Sequence, residues 1–242
     1  MSYFWFLSIY FIGDRLYYQE YGKGEPLIFL HGWGQSHETF LPFVKHFDDY
    51  RVVLVDLPGF GKSLEPIYYD LDYYAQELHS LVIEKGYEKP IIVGHSFGGR
   101  VAIKYASKYD VSKLVLVDSA GIKHHDFRYY WKIYWYKLKK KLGLHPKGGS
   151  TDYQNASSIM KKVLISVTNE SLISSMKNIS CSTLLIFGER DEVTKVADAK
   201  VMEKYIRNSG LVVVPEAGHF SYLDKPKYFL LVLDSFLSSD DV

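Results

Sequence analysis

Residues 91–99 read Ile91-Ile92-Val93-Gly94-His95-Ser96-Phe97-Gly98-Gly99. Three consecutive apolar residues, two of them isoleucines, make a short buried strand. The pentapeptide Gly94-His95-Ser96-Phe97-Gly98 then matches G-x-S-x-G, and Val101, Ala102 and Tyr105 continue at helical spacing. The pentapeptide alone carries little information. A strand before it and a helix after it supply the strand–turn–helix of a nucleophile elbow. Such a turn lifts the serine hydroxyl above a sheet and sets it at the N-terminus of a helix, whose positive end favours a developing anion.

The pattern repeats on both sides of this stretch. Leu27–Leu30, Val52–Val55, Leu114–Val117, Leu184–Phe187 and Leu211–Val214 are further short apolar runs bounded by turn residues. Helical patterns separate them: Phe40, Phe43, Val44 and Phe47 after Ser36, then Leu71, Ala75, Leu78 and Val82 before a stop at Gly86, and later residues 195–207 and 226–237. Strands alternating with helices predict a mostly parallel sheet covered on both faces. Ile9–Phe11 and Leu16–Tyr18 flank Gly13-Asp14 and predict an N-terminal hairpin, which brings the sheet to eight strands. More than sixty residues separate the runs ending at Val117 and starting at Leu184. A crossover needs only about a dozen. Phe127, Tyr130, Trp131, Tyr134, Leu138 and Leu142, and then Ala156, Ile159, Met160, Val163 and Val167, keep helical spacing across that interval. The expected organisation is therefore an α/β core at 1–121 and 181–242 with an inserted helical lid at 122–180.

At 242 residues, the chain is long enough to bury a core without disulfides or metals. Hydrophobic residues at 47% and charged residues at 24% exclude a disordered chain, a coiled coil or a collagen-like fibre. A net charge of +1 gives no global field for nucleic acid. The apolar start, Met1 to Ile12, falls short of the ~20 residues a bilayer span requires and reads as a first strand. It also lacks the basic region and cleavage site of a signal peptide. The one cysteine, Cys181, permits a reducing compartment, and a cytoplasmic location is expected.

A serine hydroxyl becomes nucleophilic when a base takes its proton. His219, in Glu216-Ala217-Gly218-His219-Phe220, follows the last strand and so lies on the same carboxyl edge of the sheet as Ser96. His95, beside the nucleophile, is expected to point elsewhere, and His31 to belong to the loop after the strand 27–30. The base needs an orienting carboxylate. Asp191, after the strand 184–187, is the expected acid. Asp118, which ends the strand 114–117, is its rival, and Glu189 and Glu192 are weaker ones. Two oxyanion donors are expected: the N–H of Phe97, which follows the nucleophile, and that of Trp33 in His31-Gly32-Trp33-Gly34. His124, His125 and Asp126 lack further ligands, so no metal is expected there. Asp56 and Pro58-Gly59-Phe60-Gly61 read as a stabilised turn.

Together, HGWG at 31–34, DLPGFGKS at 56–63, GHSFGG at 94–99, GERDEVT at 188–194 and AGHF at 217–220 resemble the α/β-hydrolase superfamily, in its branch of small serine esterases and carbon–carbon bond hydrolases. HGWG is similar to the loop of the pimeloyl-ester carboxylesterases of biotin synthesis, and GHSFGG also to the meta-cleavage product hydrolases. The resemblance implies the chain order Ser96, Asp191, His219, no cofactor and no metal. It disfavours haloalkane dehalogenases and epoxide hydrolases, which carry an aspartate where Ser96 stands. The expected activity is hydrolysis of small carboxylic esters or thioesters through an acyl-enzyme. Carbon–carbon bond hydrolysis and a non-enzymatic ligand-binding homologue are the alternatives.

From Ile122 to Lys147 the chain carries eight Lys or Arg against one acid, Asp126. The aromatic face of this stretch, with Trp131 and Tyr134, is expected to join Phe220 as wall of a pocket for an apolar acyl group. Its basic face is a candidate for weak contact with an anionic membrane surface or an acidic carrier of the acyl group.

Overall fold

The computed structural model describes residues 8–12, 16–123, 154 and 156–239. Its eight strands are β1 (Ser8–Ile12), β2 (Leu16–Tyr21), β3 (Glu25–Leu30), β4 (Tyr50–Val55), β5 (Ile91–His95), β6 (Lys113–Val117), β7 (Ser182–Gly188) and β8 (Ser209–Val214). They form one sheet in the order β1-β2-β4-β3-β5-β6-β7-β8. β1 and β2 pair antiparallel, as the hairpin reading expects, and β2 also runs antiparallel to β4. Every other pairing is parallel. β5, which carries the serine, sits between β3 and β6.

Alternation within each strand splits the core in two. Ile28, Leu30, Val53 and Val55 face one apolar cluster, while Leu27, Phe29, Val52 and Leu54 face the other. Strands buried on both faces are why these runs read as unbroken apolar stretches. Against the first face pack α1 (Leu71–Glu84) and α2 (Phe97–Ala106). Asp70 caps α1 by accepting the Tyr73 N–H, and Gly86 ends it with φ at 65°. The second face is covered by α7 (Pro226–Leu237) and by residues 37–46.

The latter segment, His37–His46, is helical as expected but forms a 3-10 helix. Pro42 inside it has no N–H and crowds the preceding turn, which disfavours α geometry. Between β6 and β7 lie α3 (Ser158–Asn169) and α4 (Ile173–Lys177). Met160, Val163, Val167 and Met176 are buried in the same cluster as α1 and α2, so this part of the interval is built into the core. The remaining helices are α5 (Val196–Tyr205) and α6 (Ser221–Asp224). Residues 1–7 of the apolar start, the expected helix at 127–142, Trp131, Tyr134 and the cluster at 124–126 lie outside the described residues. Among the described residues no helix is long and apolar enough to cross a membrane.

Candidate active site

Ser96 stands at the junction of β5 and α2 with φ 50° and ψ −108°. A non-glycine residue with this backbone costs about 1–3 kcal/mol and persists only where its surroundings hold it. They do: the Ser96 N–H donates to Val117 O at 3.1 Å, and the Ser96 carbonyl accepts from Ala120 N–H at 3.1 Å and from Arg100 N–H at 3.3 Å. Gly98 is required by close approach, because a Cβ there would fall on the Leu30 carbonyl oxygen. The start of α2 can therefore sit directly against the end of β3.

His219 arrives from the loop after β8. Its Nε2 is 2.9 Å from Ser96 Oγ, and its Nδ1 is 2.8 Å from Asp191 Oδ2. With the proton on Nδ1 directed to the carboxylate, Nε2 is free to accept the serine proton. The Asp191 side chain is fully buried, whereas His219 keeps partial exposure. Asp191 Oδ1 accepts the N–H groups of Val193 at 2.7 Å and Thr194 at 3.0 Å. Thr194 Oγ1 lies 2.6 Å from Asp191 Oδ2. Burial alone would push the Asp191 carboxyl up, but its hydrogen bonds to His219 and Thr194 outweigh that and hold it below the ordinary carboxylate range.

The rival Asp118 is equally buried and has a different set of partners. Its Oδ1 accepts the Gly188 N–H at 2.7 Å and its Oδ2 the Ser221 N–H at 2.9 Å. Burial pushes this carboxyl up to about 6. Among the described residues its hydrogen-bond partners are Gly188 and Ser221 and not the His219 ring, so the structure brings Asp191, not Asp118, to the histidine. Glu189 accepts the Glu216 N–H, which occupies it in shaping the neighbouring loop.

The loop proposed to supply the second oxyanion donor is held firmly. Gln35 N–H donates to Gly32 O at 3.2 Å and closes a four-residue turn around Trp33. His31, wholly buried, accepts the Leu57 N–H on Nε2 at 3.0 Å, and its Nδ1 sits 2.7 Å from Gly32 O. Burial lowers His31 to about 4, so it stays neutral and can act as that acceptor. The Trp33 and Phe97 rings meet edge to face at 5.3 Å, which places the turn beside the first residue of α2. First-turn N–H groups of a helix have no acceptor inside the helix, so Phe97 N–H is available to a ligand. Trp33 also packs on Phe60 at 4.9 Å. Phe220, 39% exposed, lies edge-on to His219 at 5.4 Å. Asp56 performs the turn role expected of it, since its carboxylate takes the His37 and Lys62 N–H groups.

Sequence reasoning assigned nothing to Thr194 or Gln35. Thr194 closes the quoted GERDEVT stretch, and its position three residues after the acid, as in an Asx-type turn, was the available signal. Gln35 also contacts His95 and Tyr222, far away in the sequence, and no local signal marks those contacts.

Residues 25–142 match the family model for the alpha/beta hydrolase fold. The chain is 28% identical over 243 residues to "Lipase 1" of Psychrobacter immobilis, covering 86% of this chain and 75% of that one. It is 27% identical over 261 residues to a 2-hydroxy-6-oxo-6-(2'-aminophenyl)hexa-2,4-dienoic acid hydrolase of Metapseudomonas resinovorans, covering 93% and 88%. Among solved structures, an esterase from Exiguobacterium antarcticum superposes with a TM-score of 0.73 at 26% identity, covering 93% of this chain and 96% of that one. By its match to the family model and its likeness to these relatives, the chain has the alpha/beta hydrolase fold and is a hydrolase.

Proposed function

We propose that the chain is a serine hydrolase that cleaves small carboxylic esters or thioesters through the triad Ser96, His219 and Asp191. One observation carries this reading: an unbroken line of contacts from Ser96 Oγ through both nitrogens of His219 to Asp191 Oδ2, at 2.9 and 2.8 Å. The hydroxyl attacks the carbonyl carbon as His219 Nε2 takes its proton. The resulting oxyanion is held by the N–H groups of Trp33 and Phe97, each worth about 10²–10³ in rate. The tetrahedral species collapses, the C–O or C–S bond breaks, and His219 returns the proton to the leaving group. Water, deprotonated by the same nitrogen, then attacks the acyl-enzyme, and the acid product leaves with Ser96 reprotonated.

The Trp33, Phe60 and Phe220 side chains beside the serine support an apolar acyl group. In this reading Trp131 and Tyr134 extend the acyl wall, and the basic stretch 122–147 touches an anionic surface or carrier. Carbon–carbon bond hydrolysis is the second reading, favoured by the likeness to the aminophenyl-hexadienoic acid hydrolase. An ester series graded by acyl length, run beside a meta-cleavage-type dienoic acid, tests the proposal. The expected result is turnover of esters or thioesters that Ser96→Ala abolishes. Turnover of the dienoic acid alone would select the second reading, and undiminished ester turnover by Ser96→Ala would refute the triad.

A further inference from the structure

His95 is 1% exposed, adjacent to the nucleophile in the chain, and has no part in the steps above. Its ring packs against His219 and Tyr222, both at 5.0 Å between centroids. Nε2 lies 2.9 Å from the main-chain carbonyl oxygen of His219, and Nδ1 lies 3.1 Å from Gln35 Oε1. The approach depends on glycine at position 32, where a Cβ would come within 2.8 Å of His95 Nδ1.

Two oxygens thus face the two ring nitrogens. Burial pulls the His95 imidazole down to about 3, so the ring is neutral and has one proton to donate. Gln35 Oε1 already accepts the Gly32 N–H at 2.9 Å. The His219 carbonyl has no other donor among the described residues. The proton therefore belongs on Nε2, donated to His219. The remaining contact, Nδ1 to Gln35 Oε1, then sets two acceptors face to face and opposes the Nε2–H bond instead of adding to it.

We propose that His95 is a positioning residue for the base: its Nε2–H grips the His219 carbonyl and ties the base's main chain to the strand that carries the nucleophile. This rests on the serine-hydrolase reading. Asp191 fixes the His219 ring at Nδ1, but it stands on the turn after β7 and reports nothing about the position of Ser96. His95 and Ser96 are consecutive residues, so a main-chain anchor on His95 makes the base follow the nucleophile. A hydrogen bond between Nε2 and Oγ tolerates displacements of only a few tenths of an ångström. Misplacement of reacting groups by about 1 Å costs about 10²-fold.

The test uses two variants of the intact chain. His95→Phe keeps an aromatic ring in the packed site and removes the donor. His95→Gln offers an amide N–H that reaches about as far as Nε2. For a p-nitrophenyl ester, His95→Phe is expected to lower kcat about 10- to 100-fold with KM within about twofold. The rate of covalent labelling by a fluorophosphonate should fall in parallel, and His95→Gln should restore most of both. A His95→Phe enzyme with wild-type kcat, or a folded His95→Gln no better than Phe, would overturn the proposal. If His95→Phe does not fold, ¹⁵N–¹H correlation spectra of the wild-type imidazoles decide: an Nε2-protonated neutral His95 is expected, and an Nδ1-protonated one refutes the assignment. Wild-type protein that neither turns over nor labels would instead defeat the serine-hydrolase reading itself.

Discussion

β6 and β7 run side by side, in register from Lys113 against Ser182 to Val117 against Ile186, and each ends near a buried aspartate. Asp118 comes immediately after β6, with φ at 43°. Its two oxygens accept the main-chain N–H groups of Gly188 and Ser221. Asp191 comes three residues after the last residue of β7, beyond a turn closed by Asp191 N–H to Gly188 O. That turn carries its carboxylate to where the loop after β8 delivers His219. The same side chain on neighbouring strands thus serves in one place as a staple for two loops and in the other as partner of the His219 ring. Their ionisation follows: burial pushes Asp118 up to about 6, whereas the contacts of Asp191 with His219 and Thr194 overcome its burial.

The largest effect that separates the two is catalytic. Asp191→Asn is expected to lower kcat by about 10³–10⁴-fold while the protein stays folded, because an amide in place of the carboxylate no longer fixes the tautomer and orientation of His219. Asp118 is not placed to take over, since its carboxylate is set against the Gly188 and Ser221 amides and not against the His219 ring. A nearly wild-type Asp191→Asn beside a dead Asp118→Asn would reverse the comparison. Asp118→Ala should act on stability instead. It leaves two buried N–H groups without an acceptor, at about 1–3 kcal/mol each, which urea unfolding would register as a lowered midpoint.

The pH dependence of stability sharpens the contrast. Asp118 titrates near 6 in the folded state, above the ~3.9 of an unfolded chain, so it binds a proton more readily when folded. Its ionisation weakens the fold above pH 6, and that penalty, up to about 3 kcal/mol, fades as pH falls from 6 towards 4. Asp191 has the opposite sign: its folded value is lowered, so its contribution is present above the unfolded value and lost in more acid solution. The buried, neutral His31 and His95 pull the other way in both proteins, so between pH 7.5 and pH 5 urea unfolding should show wild type losing less stability than Asp118→Ala. Equal pH dependence in the two proteins would remove Asp118 as the source. The smallest effect expected is that of Thr194→Val, which deletes the hydroxyl at Asp191 Oδ2 but keeps the main-chain N–H bonds to Oδ1. About a tenfold loss in kcat is expected, and because the same hydroxyl also lies 2.9 Å from the buried Asp118 carbonyl oxygen, a stability loss of about 1–3 kcal/mol should accompany it.

Much of this architecture was legible in the residues. Strands such as Leu27–Leu30 and Leu114–Val117 are buried on both faces and must be apolar throughout, so they announce themselves. Gly94 to Gly98 is recognisable because a sharp turn between strand and helix restricts the residue types it accepts. The helix at 37–46 was expected, but its 3-10 form depends on how Pro42 disturbs one turn. Asp191 was expected over Asp118 from the residues alone, but both follow buried strands, and the distances are what separate their partners. The partnerships of His95 with His219 and of Gln35 with Tyr222 join residues 124 and 187 positions apart, and nothing local in the chain encodes them.

The central claim is that Ser96 is the hydroxyl made nucleophilic by this arrangement. Fluorophosphonate labelling of the folded protein, with and without brief detergent treatment, followed by mass mapping of the modified peptide, tests it most directly. The account predicts a single adduct on Ser96, absent in Ser96→Ala and strongly slowed in His219→Ala. No adduct under either condition, or an adduct on another serine such as Ser119 or Ser221, would contradict it.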